Sequence, residues 1–375
     1  MSKTNDKISE KVFVVATSSI TALGEQNDLI SPEMFCAKTV ETPVEEHAVP
    51  YYSIKDTQLN KSFSLMTELL VQQVNELLIK SGLNEQQLKN TMLFLGSTSL
   101  DIGCISPNND KSIWLSQTDK LGQYLVDYFS LRSLHFTFNT ACTASANALI
   151  YASNFIKQQK IENAIVIGCE FFNQLSLNGF DSLDLISSIG VKPFARSRDG
   201  LILGEGVGAV LLSKYAGEHT QFEILGGYSS CDDHSLTITE EEGTHIIAVI
   251  NKTLENSSID KSDIDLIKVH GTASVKSDLA EASALNQFFL DIPNVIALKS
   301  LIGHTLGACG VIELALMEQC TKFAILPRFP YQEVEEEKLE LPFVKSVDLL
   351  TSSKIMLFNH FGFGGNNAAL IIKRV

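Results

Sequence analysis

Four segments of this chain set reactive side chains beside turns. In NTACTASANAL (139–149), Cys142 follows the strand-like run His135–Asn139 and precedes Thr143–Gln158, a small-residue stretch patterned as a helix. A thiol at a helix N-terminus meets free N–H groups and the positive end of the helix dipole, so a lowered thiol pKa is expected there. The alternative is an inert cysteine in an alanine-rich helix. In IKVHGTAS (267–274), His270 closes an apolar strand, where reacting groups gather in α/β sheets; a hydrogen-bonded turn histidine is the competing reading. In LKSLIGHTLGACGVIE (298–313), Lys299 and His304 flank Gly303, and Glu313 falls 14 residues after Lys299. A buried lysine needs a carboxylate, and Glu313 can supply it; otherwise these are a surface lysine and a capping histidine. In NHFGFGGNNAAL (359–370), Gly362, Gly364 and Gly365 surround Phe363 and permit a sharp loop whose N–H groups form half of an oxyanion hole. No G-x-G-x-x-G opens a helix here, which disfavours nucleotide binding. One thiol, two histidines, a lysine and a glycine loop fit Cys/His acyl transfer without deciding which reaction.

Elements with the right periodicity position these residues. Val12–Ala16, Thr91–Leu95, His135–Asn139, Ala164–Ile167 and Val207–Leu212 read as strands, and Phe63–Leu78 as a helix stopped by Gly82. Residues 17–60 and 171–197 read as irregular. After Lys214 the plan restarts, with strands at Phe222–Leu225, Leu266–Val269, Val295–Ala297, Lys354–Asn359 and Ala368–Lys373, and helices at Gly243–Leu254, Asp278–Leu290 and Thr305–Thr321. The halves end alike, GEGVGAVLLSK against FGGNNAALIIK, which points to a duplicated α/β unit divided as 1–215 and 216–375. Alternating strands and helices predict mainly parallel sheets.

The chain has 375 residues, 45% hydrophobic, with a mean hydropathy of +0.11, so a large core is available and disorder is excluded. A net charge of −15 argues against nucleic-acid binding by bulk electrostatics. No apolar run is long enough for a transmembrane segment, and the polar N-terminus shows no secretory signal. Seven cysteines, none in a CxxC pair, disfavour a disulfide framework or zinc site and fit a cytoplasmic, reducing setting. Apart from Cys142 they read as inert.

The motifs TACTASA, PFARSRDGLILGEGVGAVLL, VHGTAS, KSLIGHTLGA and NHFGFGGNN, in this order, resemble the β-ketoacyl-(acyl carrier protein) synthases, the elongating condensing enzymes of fatty acid and type II polyketide synthesis. The resemblance implies the thiolase fold, two duplicated α/β halves in five layers, α-β-α-β-α. It implies that Cys142 accepts the acyl group, that His270 and His304 act on malonyl thioester, that Lys299 is the family's buried lysine with Glu313 as its partner, and that Phe363 gates the loop beside Gly364. Asp278 and Glu205 fall on structural positions. The implied reaction is a decarboxylative Claisen condensation with no metal or organic cofactor, the phosphopantetheine arm belonging to the acyl carrier protein. The implied assembly is a homodimer, or a heterodimer with a second ketosynthase-like subunit. A partner subunit of the chain-length-factor type, with little activity of its own, is the alternative function. The chain departs from the family pattern in a short N-terminal part, in the interface region of about 96–135, and at Ala195, Leu201, His360 and Asn366. Arg196 and Arg198 are candidates for docking the acidic carrier.

Overall fold

The computed structural model describes residues 11–44, 47–104, 119–235, 240–327 and 339–375. Two sets of five strands organise it. The first comprises β1 (Phe13–Thr21), β2 (Met92–Gly96), β3 (Phe136–Phe138), β4 (Asn163–Glu170) and β5 (Gly206–Ser213). The second comprises β6 (Phe222–Cys231), β7 (Leu266–Lys268), β8 (Asn294–Ile296), β9 (Ile355–Gly362) and β10 (Asn366–Arg374). Their spatial orders, β3-β2-β4-β5-β1 and β8-β7-β9-β10-β6, are the same permutation. Two rungs, Phe13 opposite Glu223 and Val14 opposite Phe222, join the sets into one sheet.

The pairing corrects the expectation of mainly parallel sheets. In each half two pairings are parallel and two antiparallel. Parallel neighbours need a crossover of a dozen or more residues. Only Phe363–Gly365 separates β9 from β10, so that pair is forced to be a hairpin. In the first half the equivalent link is the long excursion 171–205, which returns to the end it left, with Glu170 opposite Gly206.

Helices cover both faces and fill the middle. They are α1 (Phe63–Ser81), α2 (Lys120–Phe129), α3 (Ala144–Lys157), α4 (Thr244–Ser257), α5 (Val275–Phe288) and α6 (Cys309–Lys322). Alternate strand residues face opposite layers. Ala164 and Val166 of β4 face α3 and α6, while Ile165 and Ile167 face α1 and α2. Ala368, Leu370 and Ile372 of β10 face the same middle layer, and Ala369 and Ile371 face α4 and α5. The five-layer order follows directly. Strands buried on both sides carry near-continuous apolar runs, which is why they are readable from sequence. Helix α1 forms where expected: Ser62 caps it by accepting the Leu65 N–H at 3.2 Å, and Gly82 ends it at φ 63°. Its Leu69, Leu70 and Leu77 are buried, each worth roughly 1.5–3 kcal/mol.

Two stretches read as irregular hold structure. Residues 17–60 contain the end of β1 and a hairpin, Val40–Val44 with His47–Tyr51, while 171–197 contains the helix Gln174–Asp181, capped by Asn173. Residues 105–118, part of the interface region named above, lie outside the described residues.

Candidate active site

The chain reaches Cys142 through a strained turn. Ala141 takes φ 48°, a left-handed conformation that costs a non-glycine residue energy and marks a functional turn. A single 3-10 turn, Ala141–Thr143, then feeds α3. Cys142 is buried. The expected lowering of its pKa is not what the environment produces: burial pushes the thiol up to about 12, reinforced by Cys309, against the lowering pull of Lys299 and the Phe363 N–H. Desolvation outweighs the favourable charges here. The resting group is therefore a thiol, and His304 Nε2 lies 3.1 Å from its Sγ.

His304 and His270 are both buried, with ring centroids 5.4 Å apart, edge to face. Burial and then Lys299 hold both imidazoles well below their usual range, so both are neutral. Each has an Nδ1 with no partner among the described residues. Lys299 stands behind them. It donates to the His270 carbonyl at 2.8 Å and to Glu313 Oε1 at 2.6 Å. It therefore acts through the His270 backbone and does not line the cavity above the thiol. Glu313 comes from α6 and is as buried as Lys299.

The glycine loop closes the other side. The Phe363 N–H bonds the Cys142 sulfur, and the Phe363 ring stacks on Phe180 at 5.3 Å. A Cβ at Gly362 would sit 3.0 Å from the Cys142 amide nitrogen, and one at Gly365, at φ 73°, would strike the Asp232 carbonyl at 2.2 Å. The loop can be this close to the nucleophile only without side chains. Gly364, at φ 74°, accepts the Cys231 thiol on its carbonyl at 3.2 Å. Cys142, His270, His304 and Phe363 line one cavity of about 400 Å³, with Leu201 on its apolar wall.

Further buried groups support this set, none of them but His360 picked out from the sequence. Glu281 accepts the His270 and Gly271 N–H groups at 2.9 and 3.0 Å. Glu170 accepts the Thr98, Ser99 and Gly307 N–H groups. Lys268 and His360 lie beneath the loop, together with Cys309. A lysine inside the apolar run LIKV is itself a signal, since its ammonium must find a buried carboxylate. Cys309, Glu313 and His360 bring their ligand atoms within 4.8 Å of one another. Two lysine ammoniums already hold the Glu313 carboxylate, which suits hydrogen bonding and opposes a cation. Of the two arginines considered for docking, Arg198 is buried and donates to the Ala195 and Val275 carbonyls, so it is structural; Arg196 is exposed. Asp278 and Glu205 are likewise structural. Asp278 accepts the Phe194 and Ala273 N–H groups, and Glu205 pairs with buried Lys61 at 2.5 Å.

Residues 44–217 match the family model described as beta-ketoacyl synthase, N-terminal domain, and residues 221–330 match beta-ketoacyl synthase, C-terminal domain. A putative mitochondrial 3-oxoacyl-[acyl-carrier-protein] synthase of Schizosaccharomyces pombe is 29% identical over 273 residues, covering 67% of this chain and 64% of that protein. A 3-oxoacyl-[acyl-carrier-protein] synthase 2 of Rhizobium meliloti is 28% identical over 260 residues, covering 65% and 62%. The match thus spans less than two thirds of these relatives' own length. In fold, the chain superposes on a chain of the complex between a ketosynthase of Xenorhabdus doucetiae and its chain length factor, at a TM-score of 0.80, 24% identity and 98% coverage of both chains. A beta-ketoacyl synthase of Burkholderia phymatum gives 0.81 at 21% identity, covering 98% of this chain and 100% of that one. The two matched domains meet between β5 and β6, where the strand order begins to repeat, and they bring the thiol of one half against the histidines of the other. The chain belongs to the β-ketoacyl synthase family.

Proposed function

We propose that this chain is a condensing acyltransferase that joins an acyl group held on Cys142 to malonyl-acyl carrier protein, with loss of CO₂. The observation that carries this reading is the Cys142–His304 contact at 3.1 Å between two uncharged groups, with His270 beside it in the same cavity. As Sγ attacks an acyl thioester, its proton passes to His304 Nε2 and then to the leaving carrier thiol. The Cys142 and Phe363 N–H groups hold the oxyanion; losing one such donor costs about 3 kcal/mol of barrier. In the second half-reaction the malonyl C–CO₂ bond breaks. His270, and His304 once its ring proton has moved from Nδ1 to Nε2 in the acyl-enzyme, donate to the thioester oxygen as the enolate forms, and neutral rings held by burial suit that task. The carbanion attacks the acyl-cysteine, Cys142 leaves as thiolate, and a proton taken up from water restores the thiol. This chemistry requires no metal or organic cofactor of the protein's own.

The partners are an acyl carrier protein and a second ketosynthase-like chain, in a cytoplasmic setting. Among the described residues strand β3 ends its sheet, and Leu134 and Tyr151 beside it are half-exposed. An open edge with apolar neighbours is a pairing surface. The alternative, a partner subunit with little activity of its own, is disfavoured by a complete Cys/His/His set. Purified protein given acyl- and malonyl-carrier protein is expected to release CO₂ and form a β-ketoacyl carrier. Failure to do so, alone and with its companion subunit, overturns the reading.

A further inference from the structure

The Lys299–Glu313 pair is one side of a larger buried cluster. Glu313 Oε2 accepts a second ammonium, that of Lys268, at 2.5 Å. Lys268 also donates to the Asn359 carbonyl at 2.7 Å and lies 3.5 Å from His360 Nδ1. Asn359 turns its side-chain amide to Glu281 at 3.1 Å, the carboxylate that holds the His270 and Gly271 N–H groups. On the other side, His360 Nδ1 lies 3.4 Å from Cys309 Sγ, and that thiol donates to the Cys142 carbonyl at 3.1 Å. Lys268 therefore touches the strand that leads into the glycine loop and the carboxylate behind Lys299, and two further contacts connect it to the backbones of His270 and Cys142. Lys268 and His360 are both fully buried. A stable core does not require this: Lys299 alone would satisfy Glu313, and a second buried ammonium adds desolvation cost.

We propose that Lys268 is a second positioning residue for the Cys142–His304 pair, fixing the strand that leads into the glycine loop against Glu313 and placing a second ammonium beside the Lys299–Glu313 pair. The proposal rests on the condensing-enzyme reading for its purpose but not for its test. The titratable and charged groups facing His304 are Cys142, His270, Lys299, Lys268 and His360, with Glu313, Cys309, Glu170 and Glu281 around them. After burial and Lys299, Lys268 is the remaining influence holding the His304 imidazole low. A cation opposes protonation of a nearby imidazole, so its removal raises the His304 pKa. The pH above which His304 can take the Cys142 proton then rises with it.

The test is the rate of Cys142 alkylation by iodoacetamide against pH, read by peptide mapping, in the full chain and in Lys268→Met. Met keeps the length and leaves Glu313 paired one to one with Lys299. Lys268→Gln, which keeps N–H donors without charge, guards against a folding defect in the first variant. The expected result is an acid limb moved to higher pH by about half a unit or more in both variants. A folded variant with an unmoved limb overturns the proposal. Two variants that fail to fold make Lys268 a structural core residue, which overturns it as well. Because alkylation needs no condensation, a wild type that refuses acyl carrier would sink the functional reading while leaving this shift readable.

Discussion

The thiol at Cys142 is harder to ionise than a helix N-terminus alone would make it, so in the proposed reaction His304 carries more than the family resemblance implies. The imidazole sits 3.1 Å from the sulfur, whereas His270 meets it only through the neighbouring ring. The two histidines therefore separate by half-reaction. His270→Ala is expected to leave self-acylation of Cys142 within a few-fold of wild type while lowering CO₂ release at least ~10²-fold. His304→Ala should lower both. Acylation time courses by intact mass, run beside CO₂ release, make the comparison, and equal effects of the two substitutions on acylation would refute the division. The residues themselves were legible: a cysteine before a small-residue helix, histidines at strand ends, a lysine with a carboxylate 14 positions on. The state of the thiol was not, because burial is a property of the assembled layers, and it reverses the sign that local sequence implies.

Pseudo-symmetry is informative at the level of elements. The turn Ala141–Thr143 before α3 has a counterpart, Leu306–Ala308, before α6, and both are entered through a left-handed residue, Ala141 at φ 48° and Leu306 at φ 40°. One half uses its turn to present Cys142, the proposed nucleophile. The other presents the Gly307 N–H, which Glu170 accepts at 3.1 Å. The β4–β5 and β9–β10 links are also equivalents, and they meet where Phe180 stacks on Phe363. The short link is the sensitive one. Gly365→Ala places a Cβ 2.2 Å from the Asp232 carbonyl at a φ of 73°, so the loop must shift. Acylation is expected to fall at least tenfold, in line with a displaced oxyanion donor, while the melting temperature stays within several degrees of wild type. Unchanged acylation kinetics would show that the loop does not hold the oxyanion. Doubly buried strands and capped helices were readable from composition. The antiparallel half of each sheet was not, because strand direction depends on link length and return path. The hairpin at 40–51 escaped notice because Pro43 and Pro50 interrupt it; a two-stranded ribbon off the main sheet tolerates them.

As a whole molecule, the chain is two copies of one topology whose sheets meet at two rungs and whose central helices share one apolar layer. The candidate reacting groups lie at that seam, with Cys142 from the first copy and His270, His304 and Phe363 from the second, so neither half holds the whole candidate site. The proposed pairing with a second chain rests on the β3 edge, which ends the sheet among the described residues, and on exposed Leu134 and Tyr151 next to it. Light scattering is expected to give the mass of two chains, either of this protein or of this protein with a companion. A fully active monomer would contradict that expectation. None of the helices among the described residues is long and apolar enough to cross a membrane. The duplication was visible in two matching C-terminal motifs, but the shared seam was not, since no local pattern records which faces come together. The most direct measurement of the account is the location of the acyl group after incubation with an acyl-carrier thioester, mapped by peptide mass spectrometry. The account predicts an adduct on Cys142, absent in Cys142→Ala, with Cys309, Cys169 and Cys320 unmodified. An adduct on any other residue with Cys142 free would contradict it.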